Sequence, residues 1–204
     1  MVIGGLQRCS FSDYPGRTAA VLFTQGCNFR CPFCHNGSLL SVKEAAGYEE
    51  GEILDFLKLR RGRLGGVVVS GGEPTEHKDL PRFIARLKAL DFEVKLDTNG
   101  SRPQMVKLLL KEGLVDYVAM DIKAPLNKYD TLCGVRVDTE AICRSIALIA
   151  AGGVAHHFRT TYVKSMLTAS DLLELRALVP PGSKHITQPF VAEKAWRPEL
   201  RSGR

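Results

Sequence analysis

The chain of 204 residues is 45% hydrophobic and 25% charged, an ordinary balance for a folded domain that excludes wholesale disorder, a collagenous chain and a coiled coil. Lys and Arg number 28 against 22 Asp and Glu, and the resulting +6 is too modest and too dispersed to mark a nucleic-acid-binding surface. No run reaches the ~18 consecutive apolar residues of a membrane span, and Met1-Val-Ile-Gly-Gly-Leu-Gln-Arg8 lacks the basic-then-apolar order of a signal peptide. The expected setting is therefore the cytoplasm, with no membrane or nucleic acid as partner. There, six cysteines point to metal or redox chemistry rather than to a disulfide scaffold.

Taken in chain order, the first predicted strand is Thr18–Thr24, short, apolar and β-branched as a strand buried on both faces should be. A helical period follows at Ile53, Leu54, Phe56 and Leu57, ending in the basic stretch Lys58–Arg63, read as a solvated helix end. Strand Gly66–Ser70 comes next, then a helix marked by Leu80, Phe83, Ile84, Leu87 and Leu90, then strand Phe92–Leu96. Met105, Leu108 and Leu109 mark the following helix, and Val115–Met120 the following strand. Asp138 opens a helix through Ala141, Ile142, Ile146 and Ile149 before strand His157–Val163. Thr168 opens another through Leu172, Leu173, Leu175 and Leu178 before the last strand, His185–Thr187.

Strand alternating with helix predicts a single α/β domain with a parallel sheet joined by right-handed crossovers. Six such units fall short of the eight, at about 31 residues each, that close a full barrel. A partial barrel or a doubly wound open sheet remains. The domain is expected over residues 1–195, with the polar segment 196–204 a disordered tail.

The chemistry-bearing residues lie at the carboxyl ends of the predicted strands, the rim where such sheets build their sites. After the first strand comes Cys27-Asn-Phe-Arg-Cys31-Pro-Phe-Cys34, three thiols spaced to converge on one cluster or metal. No fourth soft ligand stands nearby, so a [4Fe–4S] cluster with one open iron is favoured over a zinc ribbon, which would need that ligand. Cys9, Cys133 and Cys143 stand apart and read as small apolar residues. Ser70-Gly-Gly-Glu-Pro74 follows the second strand, where glycines allow close backbone approach to a ligand and Glu73 offers a carboxylate to an ammonium group. Leu96-Asp-Thr-Asn-Gly100, Met120-Asp-Ile-Lys123 and Gln188-Pro-Phe190 end later strands. Each alone is an ordinary turn or cap; their common placement is what makes a site of them.

The C-x3-C-x2-C triplet, the Gly-Gly-Glu-Pro turn and the strand-end polar residues resemble the radical S-adenosylmethionine superfamily. Within it, the opening run Ile3-Gly-Gly-Leu-Gln7, Asp13-Tyr-Pro-Gly16, Phe23-Thr-Gln-Gly-Cys27 and Cys34-His-Asn36 resembles glycyl-radical-enzyme activating proteins, in particular those of anaerobic ribonucleoside-triphosphate reductase. The resemblance runs from residue 3 to about residue 190. It implies a partial (β/α)6 TIM-like barrel in which Cys27, Cys31 and Cys34 ligate a single [4Fe–4S] cluster, since residues 35–65 lack the extra cysteines of a ferredoxin-like insert. It further implies S-adenosylmethionine bound by Phe33 and His35 near the adenine, Gly71, Gly72 and Glu73 at the methionine amine, and Asp97 and Asn99 near the ribose or methionine end. Lys123 would pair with the methionine carboxylate and Gln188 would lie near the ribose or adenine.

Asp97 with Asp121 offers a place for a cation, or simply two acids bonding backbone amides. Arg159 either meets the substrate peptide or the methionine carboxylate, or serves as a buried partner of Asp97 or Asp121. The implied activity is electron transfer from a flavodoxin or ferredoxin, reductive cleavage of S-adenosylmethionine to a 5′-deoxyadenosyl radical, and hydrogen abstraction from a glycine of a partner glycyl-radical enzyme. The rival readings are a radical S-adenosylmethionine enzyme acting on a small molecule or another peptide, and a non-catalytic metal-binding module.

Overall fold

A computed structural model of the chain describes residues 1–41 and 47–201. Its centre is one seven-stranded sheet with the strands in sequence order: β1 (Ile3–Tyr14), β2 (Arg17–Thr24), β3 (Gly66–Gly71), β4 (Glu93–Thr98), β5 (Tyr117–Asp121), β6 (Ala155–Tyr162) and β7 (His185–Pro189). From β2 to β7 every neighbouring pair is parallel, as the strand–helix alternation predicts. The sheet curls into a half-barrel that stays open, since among the described residues its end strands β1 and β7 do not pair with each other.

Strand β1 is absent from the predicted elements. It runs antiparallel to β2 with register shifts between Ile3 and Gly5, Gln7 and Ser10, and Ser10 and Tyr14. Those bulges destroy the strict alternation that would have announced a strand, while tying it to the edge of the sheet.

The crossovers are α1 (Glu50–Lys58), α2 (Leu80–Lys88), α3 (Pro103–Lys111), the single turn α4 (Tyr129–Cys133), α5 (Thr139–Ala151) and α6 (Ala169–Ala177). The predicted starts hold: the Asp138 carboxylate accepts from Ala141 N, and Thr168 and Asp171 form a reciprocal capping box. Turn α4 was not predicted, since five residues are too few to show a period. No helix among the described residues is long and apolar enough to cross a membrane.

Side chains alternate across the sheet. Ala20, Leu22, Val67, Val69, Val94, Leu96, Val118, Met120 and Phe158 are buried beneath the helices. The opposite, concave face is apolar at its amino end, where Tyr14, Ala19, Val21 and Val68 cluster with Phe23 and Tyr117. Tyr117 Oη and His157 Nδ1 lie 2.9 Å apart on this floor. Burial first, then the neighbouring cations Arg159 and Lys95, hold His157 down at about 4, so it is neutral and can accept the phenol proton. Toward the carboxyl end the same face turns polar, and the site is built there.

Residues 196–201 are among the described residues. Pro198–Leu200 form a single turn, Arg197 N donates to Pro32 O at 3.0 Å, and the Arg201 side chain donates to Ala195 O at 2.6 Å. The Arg197–Pro32 bond joins the start of this segment to the cysteine-bearing loop; residues 202–204 lie outside the described residues.

Candidate active site

Strand β2 delivers Cys27 at its carboxyl end, and the loop that follows brings all three cysteines to a cavity of about 330 Å³ at the strand-end rim. Cys34 N donates to Cys31 O at 3.0 Å, turning the loop back on itself, and Phe29 N donates to Cys27 Sγ at 3.4 Å. Burial, then the charge of Glu73, pushes the Cys27 thiol up to about 12. A thiol of that kind loses its proton when a metal takes its place. Among the described residues no three His, Cys, Asp or Glu side chains converge on one ion position. Three thiols lining one cavity are a donor set that fits an iron–sulfur cluster with one open position.

Of the three cysteines set aside from the sequence, Cys9 is exposed and Cys143 half-buried, whereas Cys133 is buried and its thiol is a hydrogen-bond partner of Cys31. The α4 turn carries Cys133 there, pinned by Arg30 N donating to Cys133 O at 2.8 Å. Gly134, at φ +65°, completes the fit: a side chain there would strike the Arg30 carbonyl.

The Gly-Gly-Glu-Pro turn lies against the cysteine loop. Gly72 N donates to Thr24 O at 2.9 Å and Glu73 N to Gly26 O at 2.8 Å, and a side chain on Gly72 would collide with the Gly26 carbonyl. Close packing of two strand-end loops is thus the first reason for these glycines, beside any ligand. The Glu73 carboxylate, 1% exposed, accepts from Thr75 N, Thr75 Oγ1, Thr98 Oγ1 and Asn99 N at 2.5–3.1 Å. Its acceptor capacity goes to stapling the β3 turn onto the end of β4, a role not visible in the sequence.

Asn99 is held in turn by Asn28 Oδ1 at 2.9 Å, which accepts its amide, and by Ser101 N. Lys123 reaches the cavity from the end of β5, its ammonium 2.8 Å from Asp121. His35 lies on the rim, its ring stacked 5.8 Å from that of Phe190, and accepts from Val191 N. Phe33, Gly71, Gly72, Glu73, Asp97, Asn99 and Gln188 line the same cavity, so every expected site residue meets there.

Arg159, on β6, spans both acids: its Nε donates to Asp121 and its Nη2 lies 3.2 Å from Asp97. Asp97 also accepts from Ser70 Oγ at 3.1 Å and pairs with the Lys95 ammonium. Against the burial that would raise them, Arg159 holds both carboxyls below their ordinary range, aided by Lys95 at Asp97 and by Lys123 at Asp121. Lys95 escaped the sequence reading. Its signal was there, a lysine between Val94 and Leu96 in an otherwise apolar strand.

A half-barrel of parallel strands with three loop cysteines at its rim defines the class, and comparison with known sequences agrees. The chain belongs to the radical SAM superfamily, whose sequence profile matches residues 21–179. It is 34% identical to a Methanocaldococcus jannaschii protein provisionally named a glycyl-radical enzyme activating enzyme, over 98% of this chain and 84% of that one. It is 33% identical to the pyruvate formate-lyase-activating enzyme of Staphylococcus aureus, over 54% of this chain and 48% of that one. Among solved structures, Streptococcus suis SuiB bound to S-adenosylmethionine superposes with a TM-score of 0.63 at 16% identity, covering 84% of this chain and 42% of that one. The last likeness is one of fold, and this chain spans less than half the length of the last two.

Proposed function

We propose that this chain is an activating enzyme that generates a radical on a glycine of a larger partner protein. The observation that carries the reading is the likeness, over nearly the whole chain, to a protein provisionally named for that activity. The open flank supports it. Among the described residues β1 and β7, the two ends of the sheet, do not pair with each other, and with the cysteine-lined cavity at the rim this gives a lateral way in for a loop of another protein.

In this reading Cys27, Cys31 and Cys34 hold one [4Fe–4S] cluster, and S-adenosylmethionine occupies the cavity beside it. When bound, the two supply a carbon-centred radical capable of removing a glycine α-hydrogen. The remaining work belongs to the chain. Lys123 offers its ammonium to the methionine carboxylate, and the backbone around Gly71, Gly72 and Glu73 receives the methionine amine. Asn99 and Asp97 flank the ribose or methionine end, Phe33 and His35 the adenine, and Gln188 the ribose or adenine. Phe29, Phe33 and Leu40 give the cavity apolar walls that exclude water. Arg30 and His35 are exposed on the cysteine loop, where a reduced flavodoxin or ferredoxin can deliver an electron. A reducing cytoplasm suits such a centre and its thiols.

A radical centre open on one side should be protected until its partner closes it. S-adenosylmethionine cleavage by the reduced protein is therefore expected to be slow alone and to accelerate at least tenfold when a glycyl-radical enzyme encoded beside it is supplied, as followed by chromatography of 5′-deoxyadenosine. Rapid cleavage driven by a small metabolite, with no response to any candidate partner, would instead establish the small-molecule reading.

A further inference from the structure

Five charged side chains stand together on the concave face where it turns polar: Lys95 and Asp97 on β4, Asp121 at the end of β5, Lys123 just beyond it, and Arg159 on β6. The strand register explains their meeting. Asp97 pairs in register with Ala119, and Asp121 with Arg159, so the two acids project from adjacent strands toward the same cavity. Two carboxylates so placed, both sheltered from water, repel one another unless cations stand between them.

The chain supplies those cations itself. The two oxygens of Asp97 are taken by Lys95 on one side and by Arg159 and Ser70 on the other. The two oxygens of Asp121 are taken by Arg159 and Lys123. Arg159 and Lys123 keep their side chains 18% exposed at the cavity and have donors left to offer it. Lys95 is different: its side chain is 2% exposed, Asp97 is its ion-pair partner, and it is not among the residues lining the cavity. A fully buried ammonium with no ligand to meet is costly, and its attachment to Asp97 is what it has to justify that cost. A metal ion, moreover, would find two carboxylates here and, among the described residues, no third His, Cys, Asp or Glu to complete a site.

We propose that Lys95 is a built-in cation for the Asp97–Asp121 pair, standing where a bound metal ion would otherwise be needed, and that it thereby positions Arg159 along the cavity wall. Lys95 pairs with Asp97 from beneath and shares its charge with Arg159, which bridges Asp97 to Asp121 and keeps its remaining donors toward the cavity. The proposal deepens the reading of this cavity given above and rests on that reading for the site alone, not for the identity of the partner.

The test is thermal unfolding of the purified full chain, kept anaerobic, in choline, sodium or potassium chloride at equal ionic strength. The unmodified protein is expected to melt at the same temperature in all three. Lys95→Ala is expected to melt about 5 °C or more lower in choline, with the loss recovered saturably as sodium or potassium enters the vacated place. Lys95→Arg, which keeps the charge, should show no such dependence. A merely space-filling lysine would make the alanine variant equally unstable in every salt, and that result overturns the proposal. Should Lys95→Ala fail to fold, thallium NMR on the unmodified protein decides alone. No saturable monovalent site supports the built-in cation, and a site displaced by potassium overturns it. These outcomes do not depend on whether a partner glycine is ever oxidised, so failure here and failure of the functional reading are separable.

Discussion

Alanine at any one of Cys27, Cys31 or Cys34 is expected to reduce bound iron after anaerobic reconstitution to background and S-adenosylmethionine cleavage below detection. The three come from one loop at the end of β2 and line one cavity, and no other cysteine among the described residues lines it. A cluster held by three thiolates has no spare ligand, so losing one removes about a third of its protein attachment and exposes a second iron. Alanine at Cys9 or Cys143 should leave iron content unchanged, because the first is exposed on β1 and the second half-buried on α5. Cys133 is the discriminating control. It touches Cys31, yet is delivered by α4 and not by the cysteine loop. Cys133→Ala should keep its iron, and iron retained in Cys31→Ala but lost in Cys133→Ala would exchange their roles.

Glu73→Ala is expected to lose stability before it loses any ligand contact. The carboxylate is buried and takes four hydrogen bonds, from Thr75 N and Oγ1, Thr98 Oγ1 and Asn99 N. Removing it leaves those donors facing a cavity without an acceptor, at roughly 1–3 kcal/mol for each that stays unsatisfied. Water entry and relaxation will recover part, so a net loss of about 3–5 kcal/mol is expected. For a chain of this size that is a fall in melting temperature of about 6–20 °C by calorimetry. Glu73→Gln, which keeps one carbonyl acceptor, should lose less. Equal stability of Glu73→Ala and the unmodified protein would remove the stapling role and return Glu73 to the ligand alone.

That contrast shows how much could be read beforehand and why the remainder could not. The six parallel strands were legible because short runs alternate with helical periods; in β2 to β5 burial on both faces enforces an apolar composition, whereas the half-buried β6 and exposed β7 were marked by their place in the alternation. Strand β1 was not, because its bulges break the alternation, nor was α4, because one turn has no period. Most candidate site residues stood out through their shared position at strand ends, while Phe33 and His35 came from the family resemblance alone, and the structure brings them all to one cavity. Their partners were hidden because contact between Glu73 and Asn99, or Cys31 and Cys133, is set by tertiary register and not by spacing. Arg159 was left open between contact with the substrate peptide or the methionine carboxylate and a buried partner. The sheet register places it across both Asp97 and Asp121, which makes it a partner of each. Lys95 was overlooked because a lysine inside a strand is usually a solvated one, and only the concave curl of the sheet buries it.

Delivery of a radical to a glycine of another protein can be observed by electron paramagnetic resonance. The reduced, cluster-loaded protein would be mixed anaerobically with S-adenosylmethionine and each glycyl-radical enzyme encoded near it, and the mixture frozen. A glycyl doublet is expected on one of these partners, disappearing when the partner's glycine is replaced by alanine and not forming with Cys31→Ala of this chain. Efficient S-adenosylmethionine turnover with a small metabolite, and no glycyl signal on any candidate, would contradict it.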